Sequence, residues 1–149
     1  MGEETMQCVV FDIDGTLANG DHRIWAIRSE PKKWDVYFGL LSEDKVIEPI
    51  ALICRKLSAS TQILYCTGRP EEYIPQTHQW LQDNSLPFAP IYHRKKGDFR
   101  NDDVIKLELL KEIEADGYTI TLIVDDRNRV CVALRRAGYT VAQVAEGDY

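Results

Sequence analysis

The sequence lacks an apolar run approaching the roughly 20 residues that cross a bilayer, so no membrane partner is expected. Its first residues, Met1 to Met6, carry two glutamates where a secretory signal carries basic residues, and the expected location is cytoplasmic. It also lacks Cys-x-x-Cys and paired Cys/His spacing. Cys8, Cys54, Cys66 and Cys131 lie in separate apolar segments, which removes the main support for zinc or redox chemistry and predicts buried, reduced thiols. His22, His78 and His93 form no constellation, so a histidine-based mechanism is not expected. The Gly-x-x-x-x-Gly-Lys-Ser/Thr loop is missing, and with it the expectation of ATP-dependent phosphorylation. A basic excess is missing too. The net charge of −6 disfavours broad attraction to nucleic acid, though it does not speak against a local patch.

What is present is one ordinary core. A chain of 149 residues, 44% hydrophobic and 28% charged and without repeats or linkers, is expected to form a single domain over 1–149. Apolar runs at Gln7 to Phe11, Gln62 to Cys66, Pro90 to Tyr92, Ile120 to Val124 and Thr140 to Val144 read as buried strands. A helical pattern separates each from the next, at Val46 to Leu57, Glu71 to Asp83, Asp102 to Ala115 and Val130 to Ala137. Pro49 and Pro75 fall in first turns, where a missing amide proton costs little, and Gly138 suits a helix end. Asn101 is expected to cap the helix from Asp102. The alternation predicts an α/β fold: a Rossmann-like three-layer sandwich around a parallel five-stranded sheet of order 3-2-1-4-5. Residues 20–43, aromatic but weakly periodic, read as a small flap after the first strand.

In such sheets ligands lie beyond the carboxyl ends of the strands. The loop after the first strand holds Asp12 and Asp14, that after the second Thr67-Gly68-Arg69, and that after the fourth Asp125 and Asp126. With the first and fourth strands adjacent, both carboxylate pairs converge. Carboxylates so gathered need a cation, and an all-oxygen set suits Mg²⁺. Lys106 can add positive charge, while the Thr67 hydroxyl and Gly68 amide can donate to phosphate oxygens. Asp12 is then the nucleophile on a phosphate monoester, forming an aspartyl phosphate. Asp14, crowded by like charges, is expected to have a raised pKa and to serve as acid and base.

Asp12-Ile13-Asp14-Gly15-Thr16-Leu17, Thr67, Lys106 and Asp125-Asp126 resemble, in order and spacing, the four motifs of the haloacid dehalogenase superfamily. Each acid alone is equally well explained as a turn or helix cap; their joint order is not. The resemblance implies Asp12 as nucleophile, Asp14 as acid/base, Thr67 and Lys106 as phosphate ligands, and Asp12, the Asp14 carbonyl and Asp125 as magnesium ligands. Asp126 either binds through water or orients Lys106. A narrower likeness rests on Thr67-Gly68-Arg69, the stretch Gly97 to Lys106, Asp125-Asp126-Arg127 and Gly147-Asp148-Tyr149. These resemble the 3′-phosphatase domain of bacteriophage-type polynucleotide kinase, which implies that Arg69 and Arg23 contact substrate phosphates.

Neither residues 20–43 nor the stretch between Thr67 and Lys106 is long enough for a cap domain, and an open site admits a macromolecular end. The run His93-Arg94-Lys95-Lys96 with Arg100 could bind a nucleic-acid backbone, or be an ordinary solvated loop; Arg127 and Arg129 could serve likewise. Trp25, Trp34 and Tyr37 read as local packing rather than base-stacking platforms. The expected substrate is a nucleic-acid 3′-phosphate end, with a kinase or ligase partner domain elsewhere. A nucleotide or another small phosphorylated metabolite is the alternative, and a non-catalytic phosphate-binding module is a reading from another class.

Overall fold

The computed structural model describes residues 4–149; the acidic start at Met1 to Met6 falls partly outside them. The five long strands are β1 (Met6–Phe11), β4 (Gln62–Pro70), β5 (Ile91–Arg94), β6 (Tyr118–Arg127) and β7 (Val141–Gly147). The short β2 (Ala18–Asn19) and β3 (Lys45–Val46) pair antiparallel as a separate hairpin. All pairings in the main sheet are parallel, in the order β5-β4-β1-β6-β7, which is the expected 3-2-1-4-5.

Two helices cover each face. Along β1 the period of two sends Val9 and Phe11 to one side and Cys8 and Val10 to the other. The first side packs on α3 (Glu48–Ser58) through Ala51 and Cys54, and on α4 (Ile74–Asp83) through Trp80 and Leu81. The second packs on α5 (Asp102–Ala115) through Ile105, Leu109 and Ile113, and on α6 (Asn128–Arg136) through Val130 and Leu134. A strand covered on both faces must be apolar throughout, which is why β1 reads as a continuous run. The four cysteines are free and buried. No helix among the described residues is long and apolar enough to cross a membrane.

Gly138 takes the left-handed φ of +98° that ends α6, and its amide donates to the Arg135 carbonyl at 3.0 Å. Asn101 stands at the start of α5, but its side chain makes no capping bond; its carbonyl accepts from Val104 and Ile105 at 3.1 Å. Residues 20–43, read as a flap, are built of short helical pieces. They form α1 (Trp25–Arg28), α2 (Trp34–Gly39) and 3₁₀ turns at Asp21–Arg23 and Leu41–Glu43, closed at the base by the β2/β3 hairpin. Each piece is too short to show a helical period in sequence. The insert is anchored to α4, where the Trp80 indole donates to the Asp44 carbonyl at 2.8 Å and Phe38 stacks on Tyr73. Tyr37 is buried as expected of packing, while Trp25 and Trp34 are about half exposed.

Candidate active site

Register brings the chemistry together. Phe11 at the end of β1 is level with Tyr65 of β4 and Val124 of β6, so Asp12, Cys66 and Asp125 follow at one height. Thr67-Gly68-Arg69 and Asp125-Asp126 lie within β4 and β6, not in loops beyond them, because both strands run on past β1. The chain after Asp12 turns at once: the Gly15 amide donates to the Ala18 carbonyl at 2.8 Å, with Gly15 at φ +82°. A Cβ on Gly15 would run into the Asp126 carboxylate, so glycine is needed there for space as well as for backbone freedom.

Two clusters result. In the first, carboxylate oxygens of Asp12, Asp125 and Asp126, all buried, lie within 4.8 Å of one another. The Lys106 ammonium, delivered by α5, donates to Asp12 Oδ1 and Asp125 Oδ2 at 2.7 Å each and lies 3.9 Å from Asp102. The Thr16 hydroxyl donates to Asp12 Oδ2 at 2.9 Å. Asp126 takes the Tyr149 hydroxyl at 2.8 Å. Burial pushes the Asp12 carboxyl well above its ordinary value, Asp125 pushes the same way, and Lys106 offsets only part. Burial opposes charge on Lys106, but Asp12 and Asp125 outweigh it and keep the ammonium charged. Three buried carboxylates against one ammonium can hold a metal ion. The donor set is all oxygen, which fits a hard divalent cation.

In the second cluster Asp14 is held by two arginines. Arg69 donates to it through Nε at 3.0 Å and Nη2 at 2.7 Å, and Arg23 through Nη2 at 2.5 Å. Behind the two arginines lies Asp44, bound by Arg23 Nε at 2.8 Å and Nη2 at 2.7 Å, by Arg69 Nη2 at 3.4 Å and by His22 at 2.7 Å. Arg23 also lies 4.3 Å over the Tyr37 ring, and Arg69 reaches Thr77 at 3.0 Å. Burial alone would raise the Asp14 carboxyl, but the Arg69 and Arg23 guanidiniums outweigh it and hold it well below the usual range. The expected raised pKa is therefore corrected: the neighbours of Asp14 are guanidiniums, not carboxylates. Arg23 and Arg69 are themselves fully buried, and their donors are directed at protein oxygens.

The other expected residues are near. Thr67 is buried at the end of β4, where its hydroxyl accepts from the Arg69 amide at 3.2 Å. A Cβ on Gly68 would strike Asp102, so that strand end and α5 meet through a glycine. Of the two roles offered for Asp126, orienting Lys106 is not seen: Asp12 and Asp125 do that. The basic run is mostly consumed. Arg94 donates to the carbonyls of Gly68, Asp98 and Arg100 at 2.8, 2.9 and 2.6 Å; Lys95 pairs with Glu112 at 3.7 Å; Arg100 pairs with Asp98 and Glu108. Arg127 lies 3.6 Å from Asp102 and Arg129 3.5 Å from Asp103. Thr16 and Asp44 were not singled out from sequence. Thr16 lies inside the first motif and could have been, whereas nothing marks Asp44 in a polar stretch.

A parallel sheet of this order, with aspartates and a buried lysine gathered at the ends of its central strands, defines a phosphatase of the haloacid dehalogenase class. The chain belongs to the family described as polynucleotide kinase PNKP phosphatase domain, whose model matches residues 6–149. Two structures of a Pnkp1/Rnl/Hen1 complex, one described as an RNA repair complex, are similar to it with TM-scores of 0.82 and 0.84 at 24% identity. They cover 97% and 99% of this chain, which spans 48% and 46% of theirs, about half their length. A class C acid phosphatase from Bacillus anthracis with tungstate bound has a TM-score of 0.71 at 17% identity, covering 99% of this chain and 70% of its own. At these identities the structural likeness shows the fold.

Proposed function

We propose that this phosphatase removes 3′-phosphates from polynucleotide ends, with magnesium, through an aspartyl phosphate on Asp12. The observation that carries the chemistry is the cation-deficient nest, in which the Asp12 carboxylate is exposed to two further buried carboxylates and one lysine. The Asp12, Asp125 and Asp126 carboxylates and the Asp14 carbonyl would hold the cation. When bound, magnesium supplies charge neutralisation for both the acids and the substrate phosphate.

In the first step an Asp12 oxygen forms its bond to phosphorus while the bond from phosphorus to the 3′-oxygen breaks. Lys106, fixed by Asp12 and Asp125, and the Gly68 amide lower the repulsion between the two anions. The departing oxygen takes a proton, and in the second step water attacks phosphorus, gives one up and frees Asp12. Asp14 suits the base half as it stands, being ionised. A phosphate dianion lying beside it raises its carboxyl pKa and so brings the acid form closer.

The polynucleotide end is supported by the family and by the short insert. The pairing of Lys95 and Arg100 with acids favours a second reading, a nucleotide or other small phosphate ester. A kinase or ligase partner is supported by the names of the complexes, since a freed 3′-hydroxyl is what end joining consumes. The test is turnover of 3′- and 5′-phosphorylated oligonucleotides and of a 3′-nucleoside monophosphate, with magnesium and with chelator. Expected is preference for the 3′-phosphorylated oligonucleotide, loss in chelator and a hydroxylamine-sensitive phosphoryl adduct on Asp12. Equal use of both ends defeats the substrate assignment; undiminished turnover in chelator defeats the mechanism.

A further inference from the structure

The three carboxylates of the nest are not held alike. Asp12 is fixed by Lys106 and Thr16, and Asp125 by Lys106 and by the amides of Asp126 and Arg127 at 2.7 and 3.1 Å. Among the described residues Asp126 has no donor from the sheet of that quality: its Oδ1 has only the Thr16 hydroxyl at 3.4 Å, and its Oδ2 takes the Tyr149 hydroxyl at 2.8 Å. The same hydroxyl lies 3.4 Å from the Asp14 carbonyl, so one side chain spans both ends of the acidic motif set.

The segment that delivers this hydroxyl is tied down for its purpose. At the end of β7 the Gly147 amide donates to Asn128 Oδ1 at 3.2 Å, and a Cβ there would come within 2.6 Å of the Asp126 carbonyl. The chain therefore crosses directly over Asp126, at a spot only glycine fits. Gln143 bonds the Asp126 carbonyl at 3.1 Å and Asn128 at 2.7 Å. Arg127 then holds Tyr149 twice, through Nε to its carbonyl at 2.5 Å and through the guanidinium 4.9 Å from its ring.

We propose that Tyr149 is a positioning residue of this phosphatase site: its hydroxyl holds the Asp126 carboxylate in the orientation that lets it share a divalent cation with Asp12 and Asp125. The physical reason is that a buried carboxylate with one strong donor and two close like charges turns away when that donor is lost. Groups that orient metal-binding carboxylates in this way govern affinity. The proposal rests on the reading of the nest as a magnesium site.

Tyr149→Phe keeps the ring, the stacking on Arg127 and the main-chain bond, and removes only the hydroxyl. The measurement is binding of Mn²⁺ alone to the substrate-free protein, followed by the paramagnetic resonance of the free ion, beside thermal melting in chelator. Tyr149→Phe is expected to bind Mn²⁺ about ten-fold more weakly than the parent, with its melting in chelator little changed. Tyr149→Ala is expected to lose the same affinity and to melt lower as well. Mn²⁺ affinity of Tyr149→Phe within about two-fold of the parent overturns the proposal, whatever Tyr149→Ala does to melting. If the parent itself binds no Mn²⁺, the magnesium reading falls along with it; if the parent binds and Tyr149→Phe matches it, only the positioning role falls.

Discussion

Asp12 and Asp14 are two residues apart, in opposite electrostatic settings. Asp12 belongs to a nest of three buried carboxylates with one ammonium; Asp14 belongs to a cluster of two carboxylates with two guanidiniums, and His22 at its edge. The nest is short of positive charge and the cluster is balanced, so their carboxyls shift in opposite directions. Asp14 is already satisfied by the protein, whereas Asp12 and its neighbours are arranged for something that arrives from outside. Asp12 is hydrogen-bonded but still faces two like charges that one ammonium does not balance, whereas Asp14 is held between two guanidiniums; two acids in such different settings suit the two proposed roles.

The largest expected effect separates the two clusters directly. Asp12→Asn removes the proposed nucleophile and should lower turnover by about 10⁴-fold or more, with the fold intact by circular dichroism. It also relieves like-charge crowding, so in chelator the variant should melt above the parent. A variant that melts lower there would show that the nest is not strained without a cation.

Next is the balanced side. Asp44 is buried between Arg23 and Arg69, and Asp44→Asn leaves two buried guanidiniums short of a counter-charge. Removing one partner of such a set costs about 3–5 kcal/mol, read as a shift of the urea midpoint. Turnover should fall too, because Arg23 and Arg69 fix Asp14. A cost under about 1 kcal/mol, as for a surface pair, would mean the cluster is wetter than the geometry shows.

The fold and the nest were largely legible in the sequence, and the balanced cluster was not. Strands covered on both faces are continuous apolar runs, so β1, β4 and β6 could be read, and acids at their ends could be placed together from strand order alone. Arg23 and Asp44 belong to an insert whose helices are too short to show a period, and no spacing rule links an arginine to an aspartate across it. Asp14 misled because nearness in sequence to Asp12 suggested a shared environment, whereas its carboxylate is held by the guanidiniums of Arg23 and Arg69. Tyr149 could be matched to a family ending, but its hydroxyl bond across 23 residues to Asp126 leaves no local mark.

A third region sharpens the contrast, since it carries positive charge but serves backbone. Arg94 bonds three carbonyls and lies 3.5 Å from Asp102, fastening the loop after β5 to Gly68 beside Thr67. Arg94→Lys keeps the charge but not the planar fork, so it should cost about 1–2 kcal/mol by thermal melting and raise KM more than it lowers kcat.

The smallest effects fall on the exposed part of that loop. Arg100 is paired with Asp98 and Glu108 at the surface, where such pairs contribute little, so Arg100→Ala should change stability by less than about 1 kcal/mol. Its charge is already answered, and KM for a 3′-phosphorylated oligonucleotide should stay within about two-fold. Lys96 is exposed, and among the described residues its ammonium has no carboxylate within ion-pair distance. If the loop touches a phosphate backbone, Lys96→Ala should raise KM and lower the salt dependence of KM by about one unit of slope, while Arg100→Ala leaves that slope unchanged. Equal slopes for parent and both variants would leave the loop without a part in binding the strand, and would shift the balance toward the small phosphate ester.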